Sequence, residues 1–496
     1  MEKITMYDMS PYLKKIDNVI SKGPYSDNWH SLSAYKAPEW YRSAKFGIFI
    51  HWGVFSVPAF GSEWYSRNMY IKDSPEYIHH IEKYGEHVKF GYKDFIPMFK
   101  AEKFDPNEWA KLFADAGAKY VVPVAEHHDG FQMYKSEISH WNAYEKGPCR
   151  DVLGELKSCC NALGMEVGAS SHRAEHWFFT GCGKDFDSDI KEPLQRGDLY
   201  WPAMPSAELH DIFSKPEPTE EYLQDWLVRT CEIVDRYQPK IVYFDWWIQH
   251  RAFKPYLKKF AAYYYNCAFE WGTEAVINYK HDGFMFGTAV PDVERGQFAE
   301  RKPFFWQTDT SVALNSWCYT ENNSYRTAED IVCDLVDIVS KNGCLLLNIG
   351  PKADGTIPEE DRDILLNIGK WLKINGEAIY GTDLWRRSGE GPTEIPEGQF
   401  TDGIKKNFTP KDIRFTTANG YLYAAVLKPS ESGEYVITSL DMRDASSRDN
   451  FSGIIKGVTV LGASEKPIWE RRADGLHIRT NFQNGDYPII FRIEID

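Results

Sequence analysis

The chain is 496 residues long and carries 57 Lys and Arg against 72 Asp and Glu, which gives a formal net charge of −15. This negative charge repels polyphosphates and anionic lipid surfaces, and it therefore disfavours nucleic-acid and membrane partners. With 43% hydrophobic and 26% charged residues, the composition is that of a globular protein and excludes a disordered chain. The length predicts one large domain and one smaller domain.

The nine cysteines are scattered, apart from the neighbours Cys159 and Cys160, and they lack the CxxC spacing of a zinc or redox site. We expect most of them to be buried thiols. The first residues, Met1 to Thr5, lack the basic and apolar regions of a secretory signal, and no apolar run approaches the roughly 18 residues of a spanning helix. We therefore expect a cytoplasmic protein, and a homo-oligomer is compatible with the sequence.

From about Lys45 onward, short apolar runs alternate with amphipathic segments of helix length, which is the pattern of a parallel sheet with crossover helices. About seven strands without a Gly-rich phosphate fingerprint favour a (β/α)₈-like barrel over a doubly wound sheet. The predicted strands are Phe46–Ile50, Tyr120–Val124, Val167–Ser171, Ile241–Phe244, Ala275–Asn278, Phe304–Gln307 and Leu345–Ile349. The predicted helices are Pro106–Ala116, Val152–Leu163, Thr219–Arg236, Pro255–Cys267, Thr327–Val339 and Glu359–Asn375.

After Gly381 the pattern changes, because Gly- and Pro-containing turns now separate short alternating runs such as Ile413 to Thr416 and Leu422 to Leu427. This texture is typical of antiparallel strands. We predict a catalytic barrel with an N-terminal extension over residues 1–384, followed by an antiparallel β-sandwich over residues 385–496.

Asp245 is the most informative polar residue, because it directly follows the buried apolar run Ile241–Phe244. A carboxylate at that place is unfavourable unless it is paired, hydrogen-bonded or used in catalysis. Barrel enzymes place their chemistry at the C-terminal ends of the strands. We interpret Asp245 as a catalytic nucleophile, and the alternative is an Asp that caps the next helix.

A mechanism with paired carboxyl groups needs a second one about 5 Å away. Glu294 is preferred, since Gly296 allows close approach and Arg295 could orient the carboxylate, and Glu300 is the alternative. The carboxyl residues between Ile277 and Trp306 are Asp282, Asp292, Glu294 and Glu300.

Two further clusters follow predicted strands. His51 ends the first strand, and Glu63 and Trp64 lie in the loop after it, where a carboxylate and an indole could bind a sugar hydroxyl and ring. His127 and His128 follow the second strand. Because neighbours on an extended segment point to opposite sides, a shared metal ion is disfavoured and hydrogen bonding to ligand hydroxyls is preferred.

A third cluster, His172 to Trp177, ends another strand. Here a structural salt bridge between Arg173 and Glu175 competes with a catalytic role. We take His172, Trp247 and Trp306 as additional candidate substrate contacts, because each lies in or beside a polar and aromatic cluster near a strand.

Several of these segments together resemble the α-L-fucosidases of glycoside hydrolase family 29. The similarity extends in order over about residues 30 to 385 and so covers the whole predicted barrel. The matching segments are Tyr41 to Gly53, Gly61 to Tyr65, His127 to Phe131, Phe244 to Trp246, Ser316 to Tyr319, Leu346 to Pro351 and Asp354-Gly355.

The resemblance implies a (β/α)₈-like barrel followed by a β-sandwich, and a retaining, exo-acting enzyme that releases terminal L-fucose without metal or cofactor. It places the nucleophile at Asp245 and the acid/base on a variable loop, for which Glu294 is our assignment. It implies fucose-binding roles for His51, Glu63, Trp64, His127 and His128. Two positions depart from the family pattern: Glu126 stands where a Lys often precedes the His pair, and Cys318 stands where Gly is frequent.

Two other classes of function remain open at the level of sequence. A fucose-binding protein on a catalytically impaired barrel would keep the aromatic and His residues but would need no nucleophile. A metal-dependent hydrolase would use the His pair and would lose its activity on chelation.

Overall fold

The computed structural model describes residues 7–206, 211–442 and 451–496 of the chain. Its helices are α1 Ser10–Lys22, α2 Trp29–Leu32, α3 Glu39–Ala44, α4 Tyr65–Asn68, α5 Pro75–Tyr84, α6 Pro106–Asp115, α7 Val152–Ala162, α8 His176–Phe179, α9 Glu220–Tyr237, α10 Lys254–Glu270, α11 Ala328–Ser340 and α12 Glu359–Asn375. Its first nine strands are β1 Phe46–Ile50, β2 Tyr120–Glu126, β3 Glu166–Val167, β4 Ala169–Ser171, β5 Ile241–Phe244, β6 Val276–Tyr279, β7 Val290–Glu294, β8 Trp306–Ser311 and β9 Gly343–Ile349.

These nine strands form a closed parallel barrel. They pair in the order β1-β9-β8-β7-β6-β5-β4-β2, and β1 also pairs with β2, which closes the sheet. The short strands β3 and β4 flank Gly168 and both pair with β2, so they act as one interrupted strand. The barrel therefore has eight positions, which confirms the predicted (β/α)₈ architecture.

The apolar runs become strands because a parallel barrel buries its strands on both faces. Every residue of β1, β2, β5 and β9 is buried. The helices cover the outside, and half of the twelve described helices begin with a side chain that caps free backbone N–H groups. In α9, for example, the Thr219 hydroxyl accepts a hydrogen bond from the Tyr222 N–H at 3.2 Å. All strand C-termini then open on the same end of the barrel.

Strand β7 was absent from the sequence prediction, which assigned this segment to a loop. Its sequence, Val-Pro-Asp-Val-Glu, lacks the apolar run that identifies the other strands. Asp292 and Glu294 are nevertheless buried, because they lie among polar groups of the neighbouring strands. Glu294 is thus the last residue of a barrel strand and not part of a variable loop.

The C-terminal strands are β10 Asp383–Glu390, β11 Ile413–Ala418, β12 Tyr421–Val426, β13 Glu434–Ile437, β14 Ile455–Val460, β15 Ile468–Arg472, β16 Gly475–Arg479 and β17 Ile489–Ile495. They form two antiparallel sheets, ordered β10-β11-β12-β17-β14 and β13-β16-β15. One apolar cluster joins residues of both sheets, including Phe415, Ile437 and Phe491, so the predicted β-sandwich is confirmed. Within the described residues, no helix has the length and apolar character needed to cross a membrane.

Candidate active site

A cavity of about 300 Å³ opens at the C-terminal ends of the barrel strands. Imidazoles, carboxylates and aromatic rings line its wall. They are Phe49, His51, Glu63, Trp64, His127, His128, His172, Glu175, Tyr243, Asp245, Trp246, Trp247, Lys280, Glu294, Asp309, Trp317 and Phe400. Most of the residues predicted for the site are therefore brought together in one place.

Asp245 directly follows β5 and is held by three cationic or imidazole groups. Its Oδ2 lies 3.0 Å from His172 Nδ1 and 3.4 Å from His128 Nε2, and its Oδ1 lies 3.1 Å from Lys280 Nζ. Burial by itself raises the pKa of this carboxyl group, but Lys280 and the two histidines outweigh burial and hold it well below its usual range. Asp245 is therefore a carboxylate at neutral pH, as a nucleophile must be.

Lys280 is the central cation of the site. Its Nζ contacts Asp245, Glu294 Oε2 at 2.8 Å and Asp309 Oδ2 at 3.3 Å. Burial opposes its charge, but these carboxylates raise the pKa of Lys280 well above its ordinary value. Tyr243 donates a hydrogen bond of 2.7 Å to Asp309, which completes a polar network on the inner barrel wall.

Glu294 has the opposite protonation tendency from Asp245. Burial raises the pKa of Glu294 to about 7, and the negative charges of Asp309 and Asp245 act in the same direction, whereas Lys280 opposes them. The indole N–H of Trp246 donates a hydrogen bond to the same carboxyl group. Two carboxyl groups with separated pKa values are the arrangement that general acid and nucleophile roles require.

The separation of these two carboxyl groups is also limited by Lys280. Since Asp245 Oδ1 and Glu294 Oε2 lie 3.1 and 2.8 Å from one nitrogen, they are less than about 6 Å apart. Retaining glycosidases place their carboxyl groups about 5 to 5.5 Å apart, whereas inverting enzymes need about 6.5 Å or more. The geometry fits a retaining reaction.

The histidines of the cavity carry different charges. Burial lowers the pKa of both His51 and His127, so they are neutral. Burial also disfavours charge on His128, but Glu175 and Asp245 outweigh it and raise its pKa to about 9. His51 Nδ1 lies 2.7 Å from Asn348 Oδ1, which fixes the ring orientation. Among the described residues, the buried His127 Nδ1 has no hydrogen-bond partner.

His127 and His128 both line the cavity, although an extended strand would point their two rings to opposite sides. Strand β2 ends at Glu126, and the following turn brings the two rings to a centroid distance of 4.3 Å. Nitrogen atoms of His51, His127 and His172 lie within 4.8 Å of one another. However, both nitrogens of His172 are engaged, with Asp245 and with Ser170 Oγ at 2.7 Å, which favours hydrogen bonding over metal ligation.

The cavity mouth carries a carboxylate and aromatic rings. Glu63 accepts a hydrogen bond of 3.2 Å from the backbone N–H of Trp317. This contact fixes the Glu63 side chain against the loop that follows β8. Trp64 lies edge-on to His128 with ring centroids 5.8 Å apart, and Trp317 lies 5.1 Å from His51. This combination of rings and polar groups can bind one sugar ring.

Two residues named from the sequence lie elsewhere. Trp306 is the first residue of β8 and therefore lies at the opposite end of the barrel, where its buried indole donates a 3.0 Å hydrogen bond to the Lys341 carbonyl. The prediction that Trp306 binds substrate was wrong. Glu300 is exposed on the loop after β7 and is not among the residues that line the cavity, whereas Glu294 is.

The Arg173–Glu175 salt bridge, one of the two alternatives for the third cluster, does not form. The short helical turn Arg173–Glu175 sends the two side chains apart: Arg173 binds Glu126 at 2.6 Å and Asp225 at 2.9 Å, whereas Glu175 lines the cavity. Arg229 binds the same two acids. Glu126, which departs from the family pattern, therefore belongs to a buried structural ion network behind the site.

We expect Arg173→Met to lower the free energy of unfolding by about 3 to 5 kcal/mol, because it removes one cation from a buried network in which it binds two acids. Denaturant unfolding of the purified proteins measures the effect. Arg42→Met is the matched control, since Arg42 pairs with Glu39 on the surface, and a change below about 1 kcal/mol is expected there. Equal losses in both variants would contradict the role of the buried network.

Lys280, Asp309 and Glu175 were missed by the sequence prediction. Lys280 directly follows β6 and so carries the same signal as Asp245, a charged residue at the end of a buried strand. Asp309 lies inside β8, and its strand was predicted to end at Gln307. For Glu175 the choice between a structural salt bridge and a catalytic role was left open.

Comparison with known proteins agrees with this site. The sequence profile of the family Alpha-L-fucosidase matches residues 13–377. The chain is 32% identical over 430 residues to the plasma alpha-L-fucosidase of Homo sapiens, covering 83% of this chain and 80% of that protein. It is 32% identical over 449 residues to the tissue alpha-L-fucosidase of Rattus norvegicus, covering 90% and 86%.

Among solved structures, the chain resembles the Thermotoga maritima alpha-fucosidase in complex with a mechanism-based inhibitor, with a TM-score of 0.74 and 30% identity. The similarity covers 95% of this chain and 99% of that one. Fold, site and relatives agree, and the chain belongs to the α-L-fucosidase family, glycoside hydrolase family 29.

Proposed function

We propose that the protein is a retaining, exo-acting α-L-fucosidase in which Asp245 is the nucleophile and Glu294 is the acid/base. The observation that carries this proposal is the position of both carboxyl groups on Lys280 Nζ, at a separation that suits double displacement. The fucosidase activity itself is supported by the named relatives across most of the chain. The substrate class is a fucosylated oligosaccharide or glycoside.

In the first step, an Asp245 oxygen attacks the anomeric carbon of fucose while the bond to the leaving oxygen breaks. Glu294 gives its proton to that oxygen, so the aglycone leaves as a neutral alcohol. The products are a covalent fucosyl-enzyme and a Glu294 carboxylate. A pKa of about 7 leaves Glu294 substantially protonated near neutral pH, as this step requires.

In the second step, Glu294 takes a proton from water, and the water oxygen attacks the anomeric carbon and displaces Asp245. Lys280 assists the change of role, because Asp245 is uncharged while it is esterified. The ammonium group then acts mainly on Glu294 and Asp309. It lowers the pKa of Glu294 and so favours the carboxylate form that accepts a proton from water. L-fucose is released with retained configuration.

The bound sugar needs hydrogen bonds to its hydroxyls and a cover for its methyl group. Neutral His51 and His127 and charged His128 offer ring nitrogens to the cavity, and Glu63 offers a carboxylate. Trp64 covers an apolar patch of the sugar that includes the methyl group. A cavity of about 300 Å³ suits one terminal sugar, in agreement with exo action.

The pH dependence of kcat/KM tests the role of Glu294. We expect activity to fall as pH rises through about 7, because Glu294 loses the proton that the leaving group needs. Glu294→Ala should remove this limb and slow poor leaving groups far more than activated aryl leaving groups. Equal losses for both kinds of leaving group would assign the acid to another residue.

The activity is tested by hydrolysis of para-nitrophenyl α-L-fucoside, with the α-galactoside and β-fucoside as controls and with EDTA in parallel. Selective release that survives EDTA supports the proposal and contradicts a metal-dependent hydrolase. NMR of the first sugar formed should show α-L-fucose, as retention requires. Binding of fucose without release from aryl or oligosaccharide substrates would favour the alternative, a binding protein on an impaired barrel.

A further inference from the structure

Phe400 lines the catalytic cavity although it lies in the chain region that follows the barrel. Its side chain is 57% exposed, unlike most rings of the cavity, so it stands at the mouth. The ring is nearly parallel to that of Trp246, with an interplanar angle of 16° and a centroid distance of 6.4 Å. The two rings thus border one open side of the active site.

The 397–402 segment that carries Phe400 is fixed to the barrel beside the acid/base. The Phe400 N–H donates to the Glu294 carbonyl at 3.0 Å, and Gly398 pairs with Gln297 in an antiparallel bridge. Asp402 binds Arg295 at 3.1 Å and accepts a 2.6 Å hydrogen bond from Thr310. These contacts hold the segment at the end of β7 and make the aromatic ring part of a built site.

Two backbone features show that this close approach is specific. A side chain at Gly296 would collide with the carbonyl oxygen of Gly398, so only glycine permits the contact. Phe400 has a φ of 55°, a left-handed conformation that is unfavourable for a residue with a side chain. The surrounding hydrogen bonds stabilise it, since the Thr401 and Asp402 N–H groups both donate to the Arg295 carbonyl.

The reaction determines what lies next to Phe400. The oxygen of the leaving group must lie within hydrogen-bond reach of the Glu294 carboxyl group when that group gives it a proton. Trp246 donates to that carboxyl group, and Phe400 is bonded to the backbone of the same residue. The leaving group therefore extends from Glu294 toward the side of the cavity that these two rings border.

We propose that Phe400, together with Trp246, forms a leaving-group subsite that stacks against the apolar C–H face of a pyranose ring. This inference rests on the proposed fucosidase function and specifies its substrate class, a fucose joined to a second sugar. A flat aromatic ring that is exposed at the cavity mouth offers the surface on which a sugar ring packs. The β-sandwich region thereby contributes directly to substrate choice.

The test compares a substrate with a sugar leaving group and one without. α-L-Fucosyl fluoride has no second sugar ring that could stack on Phe400, and fluoride needs little protonation. The second substrate is whichever of the α1,2-, α1,3-, α1,4- or α1,6-linked fucosyl disaccharides the wild-type enzyme hydrolyses fastest. We expect Phe400→Ala to lower the ratio of kcat/KM for disaccharide over fluoride roughly tenfold, mainly through KM.

Fluoride hydrolysis in each preparation reports whether the active site is folded, so a misfolded variant is recognised. Phe400→Trp should restore the wild-type ratio, because it restores a flat ring, and Phe400→Leu should give an intermediate ratio. Phe269→Ala is the matched control, because Phe269 is 68% exposed at the end of α10 and does not line the cavity. That variant should keep the wild-type ratio.

The outcomes separate this inference from the proposed function. If the wild-type protein hydrolyses both substrates and Phe400→Ala leaves the ratio within twofold, the leaving-group subsite is refuted and the fucosidase assignment stands. If the wild-type protein hydrolyses neither substrate, both are refuted. A lowered ratio in Phe400→Ala and Phe269→Ala alike would also refute the subsite, because the effect would not depend on the ring at the mouth.

Discussion

Replacing Asp245 by Gly is expected to lower kcat/KM for aryl α-L-fucosides by at least about 10⁴-fold, because the change removes the proposed nucleophile. Added azide should partly restore turnover. The small anion can enter the space beside Lys280 and attack the anomeric carbon, with the aryloxide as the leaving group, which yields the fucosyl azide of inverted configuration. Release of the aryl group and NMR of the azide product measure both effects.

Asp73→Gly is the matched control for this substitution. Asp73 is exposed and has a φ of 67°, a conformation that glycine adopts readily, so wild-type activity and stability are expected. Activity of Asp245→Gly within tenfold of the wild-type value would remove Asp245 from the role of nucleophile.

Replacing Lys280 by Met is expected to lower kcat/KM by about 10² to 10³-fold, because the change removes the only ammonium group that contacts both carboxyl groups among the described residues. Asp245, Glu294 and Asp309 would then lie together without this cation, and the pKa of Asp245 would rise. The wild-type enzyme should keep its nucleophile ionised down to the lowest workable pH. In the variant, activity should fall within the measurable acidic range, as Asp245 binds a proton.

Two further variants separate this effect from a loss of stability. Lys280→Arg keeps the positive charge and should recover part of the activity with a pH profile closer to that of the wild type. Lys45→Met removes another buried lysine, which directly precedes β1 and so lies at the end of the barrel away from the cavity. This variant should leave the acidic limb of the profile unchanged. An unshifted profile in Lys280→Met would show that Lys280 does not control the charge of Asp245.

The barrel was predictable from sequence because a parallel barrel needs strands that are buried on both faces. Segments such as Phe46–Ile50 and Ile241–Phe244 are therefore apolar throughout, and their bounds were predicted without error. Strand β7 was missed because Asp292 and Glu294 face polar groups within the barrel, and a strand with two acids resembles a solvated loop. The missed strand carries the proposed acid. This is expected, because catalysis requires polar residues at positions where stability favours apolar ones, and such positions break the apolar pattern of a strand.

The candidate site was predictable where a polar residue closes an apolar run, as Asp245 and His51 do. The same rule holds for Lys280, but its strand was predicted to end at Asn278 instead of Tyr279, so Lys280 did not stand directly after the predicted strand. Trp306 was misplaced for another reason: its strand was predicted to end at Gln307, whereas β8 begins at Trp306 and ends at Ser311. No local pattern could place Phe400 beside Glu294, because their contact depends on the packing of two distant chain regions.

The most direct test of the mechanism is to trap the covalent intermediate with 2-deoxy-2-fluoro-α-L-fucosyl fluoride. The fluorine at C2 slows both steps by destabilising their positively charged transition states, whereas fluoride at C1 leaves easily, so the fucosyl-enzyme accumulates. Mass spectrometry of the intact protein should show one added 2-fluorofucosyl group, and peptide mapping should locate it on Asp245. An adduct on a different residue, or turnover that yields β-L-fucose first without any adduct, would contradict the proposed mechanism.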